Sequence, residues 1–400
     1  MTDPLETTAR KQSAKVSILA VACFVGLLAG GCGSGSGDDP KPTPLAEEVL
    51  LAFGAEFGAA LPFGGFVARP LMLRKAGEEP WTEIEVPALL DMAVRGIVFS
   101  SPDTAWAFGR REAGLALLRS DDRGQSWRDV STPLPPLGQT ACAFDLVFAD
   151  EHTAYLAVRT SPFGASPLIF VSRDDGASWH SVDGPTVSFS GNNQALLARN
   201  GAIELLRGND GPPRVEPIDG TPSLAQVLTP FGTVSPASSA STVGARGWAA
   251  VTVEPNPTDF APQPGIFSSV APGEPWIEQP VESEGFVELH TIDLCSASTG
   301  VAGGFGIGAT TFHPVILHTV SDGAQWVQSA IVGVPSGTVI QSVLCTRDES
   351  AWAITSNVDP GGIGSRFLHS TDSGATWAPA PTSLGERTFL RGFARSTERE

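Results

Sequence analysis

The sequence is poor in the groups that most often announce chemistry. Its 400 residues include five Cys, three Met, six His and one Tyr, Tyr155. No Cys or His pair has metal-ligand spacing, and no Ser/His/Asp arrangement or phosphate-cradling glycine loop can be read. No catalytic residue, metal ion or cofactor is therefore expected. Basic residues are scarce: 25 Lys and Arg against 43 Asp and Glu leave a formal charge of −18. Such a surface repels nucleic acid and anionic headgroups, so nucleic acid is not an expected partner. No apolar run reaches the length of a membrane helix. Beyond residue 47 no stretch sustains a 3.6-residue apolar period, so helices should be few.

What the chain does have is a repeat. Ser/Thr-x-(Asp/Ser)-x-Gly-x-x-Trp occurs four times. The copies are Ser120–Asp122–Gly124–Trp127, Ser172–Asp174–Gly176–Trp179, Thr319–Ser321–Gly323–Trp326 and Ser370–Asp372–Gly374–Trp377. The first two begin 52 residues apart, the last two 51, and the middle gap of 147 is nearly three such units. A period of this size marks a repeat architecture. Eroded copies are read at Ser269–Gly273–Trp276, at Arg207–Asn209–Gly211 and at Gly77–Trp81, which brings the count to seven.

Each unit carries four short apolar runs cut by Gly, Pro, Asp and Ser, the pattern of strands. The first run includes Ile97–Phe99, Leu146–Phe148, Ile292–Cys295 and Val343–Cys345. The second carries a large residue after Ala or Gly (Trp106, Tyr155, Trp248, Trp352, and Leu196 in the eroded unit). The third precedes the motif, and the fourth contains its Trp. Four strands per radially repeated unit predict an all-β, seven-bladed propeller of four-stranded antiparallel blades. The tail Leu390–Ser396 reads like the first strand Val94–Ser100 with no further strands behind it. It is expected to complete the first blade, whose other strands come from about residues 63–85, and so to hide an edge. The motif residues suit a tight hairpin: Asp and Ser bond nearby backbone N–H groups, Gly takes a positive φ, and Trp covers the edge.

The units resemble BNR/Asp-box repeats, as in sialidase-like propellers and propellers of the photosystem II assembly-factor type. The phrase Thr104-Ala-Trp-Ala-Phe-Gly109 ahead of Ser-x-Asp-x-Gly-x-x-Trp is similar to the latter. The resemblance covers residues 90–183 and 289–380 well and implies fold more than activity. Sialidases use a Tyr nucleophile and three Arg, but Tyr155 occupies the packing slot of Trp106 and Trp352. The early Arg motif has only a faint echo in Val67-Ala-Arg-Pro70, so sialidase activity is not expected.

The amino terminus reads as an address. Arg10, Lys11 and Lys15 precede the uncharged run Val16–Leu28, and Leu28-Ala-Gly-Gly-Cys32 resembles a bacterial lipobox with Ala29 where Leu is preferred. Residues 1–31 would then be a lipoprotein signal peptide, Cys32 the lipidated residue, and 32–46 a disordered tether before a propeller over 47–400. An ordinary secretory signal is the alternative. Gly33 after the Cys makes the outer membrane the expected location, with the lipid as the protein's contact with the membrane. Of the remaining Cys142, Cys295 and Cys345, an odd set leaves one thiol unpaired. Cys295 and Cys345 are read in the slot of Phe99 and Phe148, where a buried apolar role is expected rather than a disulfide.

Alternating strands put the motif turns on one face and the long second-to-third connections on the other. Those connections carry Phe163, Phe260, Phe305, Phe312 and Asp359, the candidate ligand-binding residues. The Phe rings either present a binding surface or fold down to cap the blades. A protein or glycan at the envelope is the expected partner; the oligomeric state is left open. A two-carboxylate glycosidase using Glu254, Asp259, Asp359, Glu282 or Glu284 is the competing reading. His318 and His369 share one slot in consecutive blades, which points to packing.

Overall fold

Seven antiparallel sheets follow one another along the chain and form a seven-bladed propeller. The computed structural model describes residues 47–396, apart from 61–65, 132–133, 135–136, 138–140, 161–167, 183–193, 208–213, 219–225, 229–238, 254–262, 309–310, 358–363 and 383. Blade 2 shows the plan: Ala93–Phe99 innermost, then Ala105–Arg111, Gly114–Ser120 and the outer Arg128–Asp129. Blade 3 begins at Cys142–Phe148, blade 4 at Gln194–Arg199 and blade 5 at Ser239–Val243. Blades 6 and 7 begin at Phe286–Leu294 and Thr338–Cys345. Among the described residues the helical content is one 3-10 turn, Pro87–Leu89.

Blade 1 is closed by the two ends of the described chain. Its innermost strand is Thr388–Arg395, hydrogen-bonded to Val49–Ala60, with Phe66–Ala76 and Thr82–Glu83 outside. The second strand thus starts at Val49, earlier than the stretch from residue 63 expected from the sequence, because the apolar run 49–53 pairs with the carboxy-terminal strand. Blades 6 and 7 also depart from four strands. The connectors Val281–Glu282 and Ala330–Ile331 run parallel beside the outer strands Trp326–Gln328 and Thr376–Pro379, making five. An added strand covers an edge that would otherwise present unpaired backbone groups.

Blade 4 corrects two further assignments. Leu196 lies on the innermost strand, and the large residue after Ala in the second strand, Ala202–Arg207, is Ile203. The run Arg207–Asn209–Gly211 therefore falls between the second and third strands, not at a motif turn; Asn209 and Gly211 lie outside the described residues. The error arose because this blade turns from its first to its second strand through the short Asn200-Gly201 hairpin, both residues at positive φ. That turn pulls the whole unit forward in sequence.

The core is not one mass. Seven apolar clusters lie one between each pair of neighbouring blades, the last joining Trp352 and Phe367 of blade 7 to Leu50, Leu71 and Leu390 of blade 1. The motif turns key adjacent blades together. A Cβ on Gly176 would stand 2.6 Å from the Trp106 ring of the preceding blade, and one on Gly323 would stand 1.7 Å from Trp248. Both glycines also have φ above +70°. The second-strand Trp therefore fits a hollow that a side chain would fill.

Cys295 and Cys345 form a disulfide, contrary to the expectation of two buried thiols. Pairing explains the miss: Leu294, not Cys295, stands opposite Gly300 in the register where Phe99 meets Ala105 and Cys345 meets Ala351. A shift of one residue in a strand reverses the face of the side chain. Cys295 therefore faces blade 7 and Cys345 faces blade 6. The bond ties the innermost strands of neighbouring blades across a 50-residue separation, a link of the kind that contributes about 2–4 kcal/mol.

Candidate functional site

The two faces of the ring differ in construction. On one, the motif turn is tied to the first-to-second turn of its own blade: Arg123 N donates to Asp103 O at 2.9 Å, and Asp322 N to Ser298 O at 3.0 Å. Within the turn, Ser120 Oγ accepts from Gly124 N at 2.8 Å and donates to Asp122 Oδ1 at 2.8 Å. Asp122 in turn accepts from Ser126 N and Oγ, at 2.8 and 2.6 Å. The Ser172 and Ser370 turns repeat this arrangement with Asp174 and Asp372. Trp127 and Trp377 donate Nε1–H to the motif Gly carbonyl at 3.0 and 2.8 Å. In the Thr319 turn Ser321 replaces Asp, and the bond to Thr319 stretches to 3.4 Å. Trp179 and Trp326 are buried in their turns, Trp326 completely. The Ser and Asp side chains of the full motifs, with Trp127 and Trp377, thus spend their polar atoms on their own hairpins.

Their protonation follows from that. Burial opposes ionisation of Asp122 and Asp372, but the Ser126 and Thr376 hydrogen bonds outweigh it and hold both carboxyls below their usual range. For Asp174 the Ser178 hydroxyl is the leading cause of the same shift. Folded values below the unfolded ones mean stability that is present above the ordinary Asp pKa and is lost as pH falls through the folded values. Melting temperature is therefore expected to drop below about pH 4. The deficit of Asp372→Asn relative to wild type at pH 7 should narrow at pH 3. An equal deficit at both pH values would mean that the ionised carboxylate contributes nothing.

The opposite face carries the second-to-third connections. Phe163, Phe260 and Asp359 lie outside the described residues. Phe305 and Phe312 are brought together at that end of blade 6. Their rings meet edge to face at 4.9 Å, and His290 meets Phe305 at 5.1 Å. Phe286, Ile307 and Phe312 are direct cross-strand neighbours, and Phe286 and Phe312 remain 44% and 40% exposed. Phe305 is half-buried against its neighbours while Phe312 and Phe286 face solvent, and Phe305 and Phe312 lie in the strands Gly300–Ile307 and Phe312–Thr319 rather than in the connection expected to carry them. Phe286 was not singled out in the sequence, because it lies in a first strand and not in a long connection.

Around the channel, five innermost strands carry a β-bulge in the same slot. The extra residues are Arg391, Arg95, Phe144, His290 and Gln341 in blades 1, 2, 3, 6 and 7. A bulge re-aims a side chain. Between blades 1 and 2 a cleft of about 470 Å³ is lined by Arg95 and Arg391 together with Phe57, Pro70 and Leu90.

Of the candidate glycosidase carboxylates, Glu282 and Glu284 are the two that lie among the described residues. Glu254 and Asp259 lie outside them; Glu282 and Glu284 stand exposed beside the outer strand of blade 6, where Glu282 accepts from Gln325. Glu56 and Glu83 come together only as joint partners of Arg69. Asp145 is the carboxyl with the clearest rise, pushed up to about 6 by burial, yet it accepts backbone N–H groups from Leu196 and Leu146 and so joins blade 3 to blade 4. Tyr155 is buried between blades 3 and 4. His369 stacks on Trp352 at 4.2 Å, and His318 bonds Ser329 at 3.1 Å, the packing positions expected. No group of three or more His, Cys, Asp or Glu gathers as metal ligands among the described residues.

The described residues define an all-β, seven-bladed propeller whose motif turns and first-to-second turns are tied together on one face. No family model matches the chain, and no curated protein matches it. Among solved structures it is similar to YCF48 bound to D1 peptide, at 16% identity and a TM-score of 0.48, over 75% of this chain and 84% of that one. It is also similar to the GH74 xyloglucanase from Xanthomonas campestris, at 12% identity and a TM-score of 0.49, over 87% and 55%. A third is an α-L-arabinofuranosidase mutant from Fusarium graminearum, at 13% and 0.43, over 67% and 89%.

Proposed function

We propose that this is an exported, lipid-anchored, non-catalytic propeller that binds a protein or glycan partner through the face opposite its motif turns. The observation that carries the reading is the aromatic cluster of blade 6, which leaves Phe286 and Phe312 in solvent beside Ile307. Aromatic surface of this kind on a rigid scaffold is what partners bury. The Cys295–Cys345 disulfide favours export, since such bonds persist in oxidising compartments. Anchoring through Cys32 and residence at the outer membrane belong to the same proposal. Loss of fatty-acid labelling on Cys32→Ala in a bacterial host would support the anchor, and unchanged labelling would remove it.

The test is capture from envelope extract. The double variant Phe286→Ala/Phe312→Ala should recover at least about tenfold less partner than wild type, with an unchanged melting temperature. Equal recovery would discard this face. Turnover of a fluorogenic glycoside that disappears in Asp359→Asn or Glu254→Gln would replace the binding role with the hydrolase reading.

A further inference from the structure

The cleft between blades 1 and 2 combines features that the envelope-partner reading does not use. Arg391 and Arg95 are the bulge residues of adjacent innermost strands, so the same local distortion aims both guanidinium groups into one hollow. Neither has an ion-pair or hydrogen-bond partner among the described residues. The carboxylate in the cleft, Asp91, is already taken by Arg111, whose Nε donates to it at 2.9 Å. Acids outnumber bases 43 to 25 in this chain, so two neighbouring uncompensated arginines stand out against its charge. Both side chains keep an exposed surface, and partial burial, then the charge of Arg95, pushes the Arg391 guanidinium below its ordinary value. A bound anion would relieve both.

The rest of the cleft is apolar. Leu90, just after the 3-10 turn, is 70% exposed at its rim, and Phe57, Pro70 and Met92 supply the wall. Few polar groups are available to satisfy sugar hydroxyls.

We propose that this cleft binds a small amphiphilic carboxylic acid, its carboxylate held between Arg95 and Arg391 and its apolar tail lying along Leu90, Phe57 and Pro70. The volume of about 470 Å³ lies in the range of small-molecule sites. Guanidinium groups suit the carboxylate because their donors match its two oxygens.

Calorimetric titration of the full-length chain with octanoate tests this, with 1-octanol (tail without charge) and acetate (charge without tail) as controls. Octanoate should bind saturably and raise the melting temperature, and both controls should bind at least about tenfold more weakly. Arg95→Gln and Arg391→Gln should each weaken octanoate at least about tenfold while the unliganded proteins melt with wild type. Leu90→Ser should weaken octanoate and leave acetate unchanged. The proposal is overturned if octanoate does not saturate, if octanol binds equally well, or if both Arg variants keep wild-type affinity. It is also overturned if an apolar peptide with a free carboxy terminus binds more tightly than octanoate and loses that affinity in the same variants. Partner capture through Phe286 and Phe312 is scored separately, so the two readings stand or fall independently.

Discussion

Deletion of residues 387–400 is expected to destroy the ring. The deleted segment holds the innermost strand of blade 1, and its removal would expose the long edge of Val49–Ala60. It also takes Leu390 and Ala394 out of the clusters on both sides of that blade. Ser396 N donates to Val49 O, and Val49 N donates back to Ser396 Oγ, each at 2.8 Å. Arg395 reaches further, donating to Leu294 O of blade 6 at 3.0 Å and to Cys345 O of blade 7. Losing so much burial together with an open edge should leave insoluble protein, or a melting temperature at least about 10 °C lower. A truncated chain that melts with the full-length one would show that the ring does not depend on this strand.

A comparably large effect is expected from one buried charge. Arg199 and Glu204 flank the Asn200-Gly201 hairpin of blade 4 and are almost wholly out of solvent, 0% and 2% exposed. Arg199 Nε donates to Glu204 at 2.9 Å and Nη1 to Ser269 O at 3.3 Å, and the guanidinium lies 5.0 Å from the Trp276 ring. It thus joins blade 4 to the turn of blade 5, which has Ser269, Gly273 and Trp276 but lacks the Asp of the full motif. Glu204→Gln leaves the Arg charge without its counter-ion and should cost about 3–5 kcal/mol in chemical unfolding. The double variant Arg199→Met/Glu204→Leu removes both charges and should recover most of that loss. A single variant within about 1 kcal/mol of wild type would show that the pair contributes little.

Much of the fold was legible because the motif is local. Ser120, Asp122, Gly124 and Trp127 bond within eight residues, so their identities and spacing report one hairpin wherever it recurs. The carboxy-terminal strand was legible for a similar reason: Leu390–Ser396 copies the pattern of Val94–Ser100, including the Arg-Gly that marks the bulge. The candidate site was less so. Phe305 and Phe312 could be placed on a face from strand direction alone, but Phe286 joins them only through register. Arg95 and Arg391, 296 residues apart, become neighbours only when the ring closes.

The same division explains the corrections. In blade 4 a short Asn-Gly turn displaced the unit, and counting along the repeat put Leu196 in the wrong strand. In blade 6 a single-residue slip placed Cys295 on the wrong side of its strand and concealed the disulfide. The amino-acid sequence by itself determined the number of blades, the hairpin that ends each good unit and the acidic surface, because each depends on residues close together or on composition. Only the tertiary structure decided which side chains meet across blades: the disulfide, the Arg199–Glu204 pair, the aromatic cluster and the arginine cleft. Those meetings depend on register and bulges, where a shift of one position turns a side chain from one neighbour to another.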